Sequence, residues 1–197
     1  MLDTGIARAR KFLSTPGEAF RESRDDTEKT VSHYFSTLLL IFAVLSVVFA
    51  AIVGSFTHVL PGTSFVSGAG AMVLASIISI ISIFIAGTVF TLLFSVWVHL
   101  WVWILGGRNG LAQTVKAIVY GMTPFFVYGW IPWIGFFFSI WSLVLDVHGI
   151  RELGSLSTRK AALAIIIPVV ILLIVAATVF FYYLVPWSVH QFMLSRS

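Results

Sequence analysis

Lys116 and Asp146 are the residues best placed to do chemistry, because each is an ionisable group set in an otherwise apolar stretch. Such a side chain costs about 2.5–3.5 kcal/mol inside a bilayer on insertion scales, so each needs a partner or water. A turn, Tyr128-Gly129-Trp130-Ile131-Pro132, separates them. At the helical rise of about 1.5 Å per residue, Lys116 lies about 18 Å below that turn and Asp146 about 22 Å. The two levels differ by about one helical turn, within reach of a lysine side chain. The expectation is that they pair or share a polar pocket at the inner membrane face, with Tyr120 and Arg151 alongside. The alternative is that both snorkel separately to the interface.

Other chemistry finds less support. Carboxylate and imidazole suit zinc or iron, and Asp146, His148 and Glu152 are neighbours in sequence. Residues two apart point to different sides of a helix, however, and no HExxH or ExxH pattern occurs. Neither a metal nor a cofactor is expected. The absence of cysteine excludes disulfides, thiolate catalysis and cysteine-ligated metals. No GxSxG-like element, phosphate loop or dinucleotide fingerprint appears, so an enzyme is not expected. Ser76, Ser79, Ser82 and Ala86 recur on one side of a long apolar run. They permit close helix contact, within the subunit or in a homodimer. His99 stands among Trp97, Trp101 and Trp103, and Trp130, Trp133 and Trp187 stand at the opposite level; both sets suit aromatic belts.

The elements that position these residues follow from composition. Hydrophobic residues make up 59% of the 197 and charged residues 10%, whereas a water-soluble surface needs about 25% charged. The chain therefore reads as an integral membrane protein. Its charges fall only in residues 1–29, 108–116 and 146–160 and at Arg196. The stretch from Lys29 to Arg108 is too long for one helix of about 20 residues. Five apolar runs are expected to be transmembrane helices: about 34–56, 71–105, 111–127, 133–147 and 161–185. Pro61-Gly62 marks a turn after the first and Gly106-Gly107 ends the second. The second is long enough to tilt. The third and fourth are short and form a hairpin, and kinks are expected at Pro124 and Pro168. The fold class is an all-α polytopic membrane helix bundle in residues 34–186, with a cap in 1–33 and a short tail in 187–197.

Lysine and arginine orient the bundle. With the N-terminus cytoplasmic, eleven of them lie on the inner side and only Arg196 lies outside. The C-terminus is then outside. The first 33 residues carry 12 charges before any apolar run, so they are not a signal peptide. Leu2, Ile6, Ala9, Phe12 and Leu13 share one helical face opposite Arg8, Arg10 and Lys11. That pattern reads as an amphipathic helix bound to the anionic membrane surface through those three cations. Thr15-Pro16-Gly17-Glu18 signals a capped second helix. Pairs Arg21/Asp25, Arg24/Glu28 and Asp25/Lys29 at four-residue spacing suggest that it continues as a solvated helix. The basic N-terminus is explained by the membrane, and no nucleic-acid partner is expected.

Several motifs together carry a family resemblance. They are Gly106-Gly107-Arg108, Ala117-Ile118-Val119-Tyr120-Gly121-Met122-Thr123-Pro124, the turn at Pro132, Trp141-Ser142-Leu143, Gly149-Ile150-Arg151-Glu152-Leu153 and Ser157-Thr158-Arg159-Lys160-Ala161. Over nearly its whole length the chain resembles the Yip (Ypt-interacting protein) membrane family. Thr15-Pro16-Gly17-Glu18-Ala19-Phe20 is similar to bacterial and archaeal members. The resemblance implies five membrane helices, a cytosolic N-terminus and a prokaryotic plasma membrane. Eukaryotic relatives associate with Rab-type GTPases, but the acidic Asp-Leu-Tyr-Gly-Pro element of one eukaryotic branch is missing here, which argues against that partner. The functional expectation is a non-enzymatic protein that organises membrane or recruits a protein through its cytoplasmic face. The rival is a small-molecule or ion transporter or channel, with a polar pocket between the third and fourth spans and a path along Lys116, Tyr120, Asp146 and Pro168.

Overall fold

A computed structural model of the chain describes residues 2–57 and 69–184. The expected turn at Pro61-Gly62, the belt residue Trp187 and the tail cation Arg196 lie outside the described residues, as do the side chains of Leu2 and Ile6. Every described element is helical: α1 (Leu2–Ser14), α2 (Pro16–Glu22), α3 (Glu28–Thr57), α4 (Ala69–Ile104), α5 (Leu111–Gly121), α6 (Thr123–Tyr128), α7 (Ile134–Gly154) and α8 (Thr158–Val179). A 3-10 turn, Ser23–Asp25, joins the N-terminal helices to α3, and a π turn, Phe180–Leu184, follows α8.

Four segments are long and apolar enough to cross a membrane: Glu28–Gly54, Gly70–Ile104, Ile134–Gly154 and Thr158–Tyr182. A helix satisfies its backbone polar groups internally, which is the condition for entering hydrocarbon. The run expected as a third span is instead divided, because α5 stops at Gly121 and α6 starts at Thr123. Its cause is local. Pro124 has no N–H to offer the carbonyl four residues earlier, that of Tyr120, and the Thr123 hydroxyl donates to that carbonyl instead, at 2.6 Å. The break lies in the first turn of α6, where proline is well tolerated. The Phe125 N–H, another unpaired donor of that first turn, donates to Ser142 Oγ of α7 at 3.1 Å. The other proline behaves differently. Pro168 is buried inside an α8 assigned as continuous helix, and its carbonyl accepts from Trp97 Nε1 at 3.4 Å.

Glycines set the close approaches. A Cβ on Gly149 would lie 3.0 Å from that of Ala117, and one on Gly121 would lie 2.0 Å from Asp146 Oδ1, so α5 and α7 pack nearly backbone to backbone. At the end of α4, Gly106 has φ +100°, and the Gly106 and Gly107 N–H groups donate to Trp103 and Val102 carbonyls. This is a Schellman termination, which favours glycine at the left-handed position.

Buried side chains concentrate at one end, among Phe12, Phe20, Tyr34, Tyr120, Ile150 and Leu153. The far half of α4, from Met72 to Phe90, and the stretch from Leu172 in α8 to Tyr182 in the π turn expose large apolar side chains. Water would oppose such a surface, whereas lipid accepts it. Ser79, Ser82 and Ala86 are exposed there and Ser76 is half-buried, so most of the small-residue stripe does not pack among the described residues. The tight contact between α3 and α4 is Gly87 against Leu39.

Candidate functional site

The charged residues meet at the end of the bundle that carries α1 and α2. Thr27 Oγ1 accepts the Thr30 N–H at 3.3 Å, capping the start of α3. That cap ends the N-terminal unit at Asp26 and leaves its carboxylate free to turn inward. Asp26 Oδ1 pairs with Arg8 Nη2 at 2.9 Å, and Oδ2 accepts the Tyr120 hydroxyl at 2.5 Å. Arg8 also donates to the Tyr120 hydroxyl at 3.4 Å, with its guanidinium carbon 5.7 Å from the ring centroid. One carboxylate thus joins α1, the entry to α3, and α5.

Aromatic packing surrounds this latch. Phe12 of α1 stacks on Tyr120 with centroids 4.5 Å apart and meets Phe20 of α2 edge-on at 5.0 Å. Tyr34 of α3 lies 5.1 Å from Tyr120, and its hydroxyl is 2.8 Å from Thr123 Oγ1. Because Thr123 gives its own proton to the Tyr120 carbonyl, Tyr34 must donate to Thr123. Phe12, Phe20 and Tyr120 are each at most 1% exposed. These contacts correct the reading of α1 as a lipid-bound helix. Its residues Ala9 and Phe12 face the bundle, Arg8 is spent on Asp26 and Tyr120, and Lys11 pairs with Glu22 at 2.6 Å. Arg10 remains exposed.

A second clamp involves Glu152 near the end of α7. Its carboxylate meets Arg21 at 3.3 Å and Arg151 at 2.5 Å, while Arg24 donates to its main-chain carbonyl. The four-residue pairs expected along a continuous helix are absent among the described residues. The helix stops at Glu22, and Arg21 and Arg24 turn to α7. Thr15 precedes α2 as expected but makes no side-chain cap, and its hydroxyl donates to the Lys11 carbonyl.

The expected union of Lys116, Tyr120, Asp146 and Arg151 does not form. Lys116 Nζ donates to the Arg24 carbonyl at 2.8 Å, Tyr120 binds Asp26, and Arg151 binds Glu152. Asp146 is 1% exposed, its Oδ1 has no hydrogen-bond partner, and it takes part in none of the ion pairs among the described residues. Depths within about one helical turn of each other proved insufficient because direction around the helix matters as well. Each residue turns an α-helix by about 100°. Ala117 and Gly121 face α7, which sends Lys116 away from it.

Among the described residues no three of His, Cys, Asp and Glu gather as metal ligands. His148 Nδ1 donates to the Val144 carbonyl at 2.9 Å, and His99 Nδ1 lies 2.8 Å from Thr114 Oγ1. Sequence reasoning passed over Asp26, Tyr34 and Thr123 as members of a polar site and weighed Glu152 only as a metal ligand. Two signals pointed to Asp26 and Thr123: the capping threonine in Asp26-Thr27-Glu28, and the hydroxyl beside proline in Thr123-Pro124.

The arrangement is a structural lock in which four arginines, Arg8, Arg21, Arg24 and Arg151, gather around two carboxylates, Asp26 and Glu152. No curated protein and no solved structure matches the chain. A family model, the Yip1 domain, matches residues 10–180, a stretch that takes in every member of the latch except Arg8. The chain is an integral membrane protein that belongs to the Yip1 domain family.

Proposed function

We propose that this protein is a non-enzymatic organiser of the membrane, recruiting a protein partner through a preformed cytoplasmic face. In this reading α5 and α6 together make a fifth crossing. The N-terminus lies in the cytoplasm of a prokaryotic cell, the C-terminus lies outside, and the bilayer is the plasma membrane. The cation asymmetry supports that orientation. A Rab-type GTPase and nucleic acid have no part in the reading.

The observation that carries the proposal is the docking of α1 and α2 onto α5 and α7 by the Asp26 latch and the Glu152 clamp. A cap held in this way presents its outer side chains, among them Arg10, Glu18 and Lys29, in one fixed arrangement. Preorganisation lowers the entropic cost of binding a partner. Photo-crosslinking amino acids placed at Arg10, Glu18 and Lys29 are expected to trap one protein species in native membranes, whereas the same probe at the lipid-facing Leu173 traps none. Crosslinks no different between the two sets would refute the proposal.

Close helix packing weighs against the transporter reading. Gly121 against Asp146 and Gly149 against Ala117 close the seam between α5 and α7 where that pocket was expected. Solute flux through liposomes, abolished by Asp146→Asn or Lys116→Ala, would restore it.

A further inference from the structure

A groove of about 430 Å³ runs between α3, α4 and α5, on the side of α5 away from α7. Its size falls within the roughly 300–1,000 Å³ of small-ligand sites. Each helix gives one stripe to it. From α5 come Leu111, Ala112, Val115, Lys116 and Val119, at the spacing of one helical face, and from α3 come Glu28, Val31, Ser32 and Phe35. Thr88, Thr91 and Leu92 complete the wall from α4. Phe35, Thr91 and Val119 form a buried floor, while Leu92 and Leu111 on the rim are 50% and 41% exposed, so the groove opens sideways to its surroundings.

The polarity of the groove is graded along its length. Thr88 and Thr91 satisfy their hydroxyls on Phe84 O and Met122 Sδ, which leaves the deep part apolar in effect. At the charged end stand a cation and an anion. Lys116 Nζ spends one of its three donors on the Arg24 carbonyl. Glu28, in the first turn of α3, takes part in none of the ion pairs among the described residues. Arg24 is four residues before Glu28, so the lysine amine and the glutamate belong to the same end.

We infer that this groove holds one phospholipid bearing a primary amine, of the ethanolamine type. An acyl chain lies along the Val31, Phe35, Leu92 and Val119 wall. Its phosphate meets the two remaining Lys116 donors, and its ammonium meets Glu28. A choline headgroup has no N–H to give Glu28, and a glycerol headgroup leaves that carboxylate unpaired beside a net anion. The complementary pair of charges therefore selects the headgroup, while the apolar wall binds any tail.

Native mass spectrometry of the purified full chain tests this, with equal amounts of phosphatidylethanolamine, phosphatidylcholine and phosphatidylglycerol of identical acyl chains. One phosphatidylethanolamine is expected to be retained at least about fivefold over either competitor, the factor that about 1 kcal/mol of charge pairing gives. Glu28→Gln, at an exposed position, removes that preference while retaining one lipid. Ser32→Phe, also exposed, fills the groove and removes all three lipids. Equal retention of the three headgroups by the native chain, a preference for phosphatidylglycerol, or a preference unchanged in Glu28→Gln would overturn the inference.

Discussion

The hydroxyl of Tyr120 donates to Asp26 Oδ2 at 2.5 Å, across 94 residues of sequence, and this bond ties the N-terminal cap to α5. A hydrogen bond to a charged group contributes about 1.5–3 kcal/mol. Tyr120→Phe keeps the ring that stacks on Phe12 and removes only the hydroxyl. It is expected to destabilise cap docking by that amount, seen as faster amide exchange through residues 8–14 while α7 and α8 exchange as before. Unchanged exchange in α1 would mean that the cap is held without this bond.

Thr123 offers a second, independent test of the same region. Its hydroxyl accepts from Tyr34 and donates to the Tyr120 carbonyl that Pro124 cannot satisfy. Thr123→Val preserves shape and leaves both of those buried groups without a partner. The expected cost is about 1–3 kcal/mol for each orphaned group, read as a lower unfolding midpoint in detergent. Tyr34→Phe, which removes one of the two bonds and leaves the carbonyl satisfied, should cost clearly less.

Gly121 has no room for a methyl group. A Cβ there would meet Asp146 Oδ1 at 2.0 Å and the Asp146 main-chain nitrogen at 2.9 Å. Gly121→Ala must push α5 from α7, and overpacking of this kind costs about 1–3 kcal/mol or more. Gly17→Ala is the contrasting substitution, since a Cβ in that helical position meets nothing within 4 Å. It should stabilise the chain by up to about 1 kcal/mol. Thermal midpoints of the two variants are expected to move in opposite directions.

Asp146→Asn separates the structure from the ion pair that the sequence suggested. Breaking a buried ion pair costs about 3–5 kcal/mol, because the surviving partner stays charged and buried. Lys116 bonds instead to Arg24, and Asp146 Oδ1 has no partner. The amide variant is therefore expected to stay within about 1 kcal/mol of the native chain in reversible unfolding. A loss above about 3 kcal/mol would show that the pair exists after all.

Hydropathy made four membrane helices legible, because a bilayer penalises every polar interruption of an apolar run. The helix end at Gly106 was legible because backbone chemistry acts locally, whereas Pro124, expected to kink one helix, stands at a full break between two. The contacts of the cap were hidden. The apolar face of α1, with Ala9 and Phe12, suits a lipid surface and a protein surface equally, and nothing in one sequence says which is nearer. Lys116 and Asp146 were misjudged because spacing along an axis gives height and leaves direction open. The break at Thr27, visible as a capping threonine, was passed over in favour of charge pairs that fit a continuous helix.

We propose above all that the latched cap lies in the cytoplasm beneath a bundle that crosses the membrane five times, so that the two chain ends lie on opposite sides. The chain has no cysteine, so one introduced thiol reports one position. Ser14→Cys and Ser195→Cys, exposed in turn to a membrane-impermeant maleimide on intact cells, test it directly. The account predicts labelling of residue 195 at once and of residue 14 only after the cells are opened. Labelling of both positions from outside, or of residue 14 alone, would contradict it.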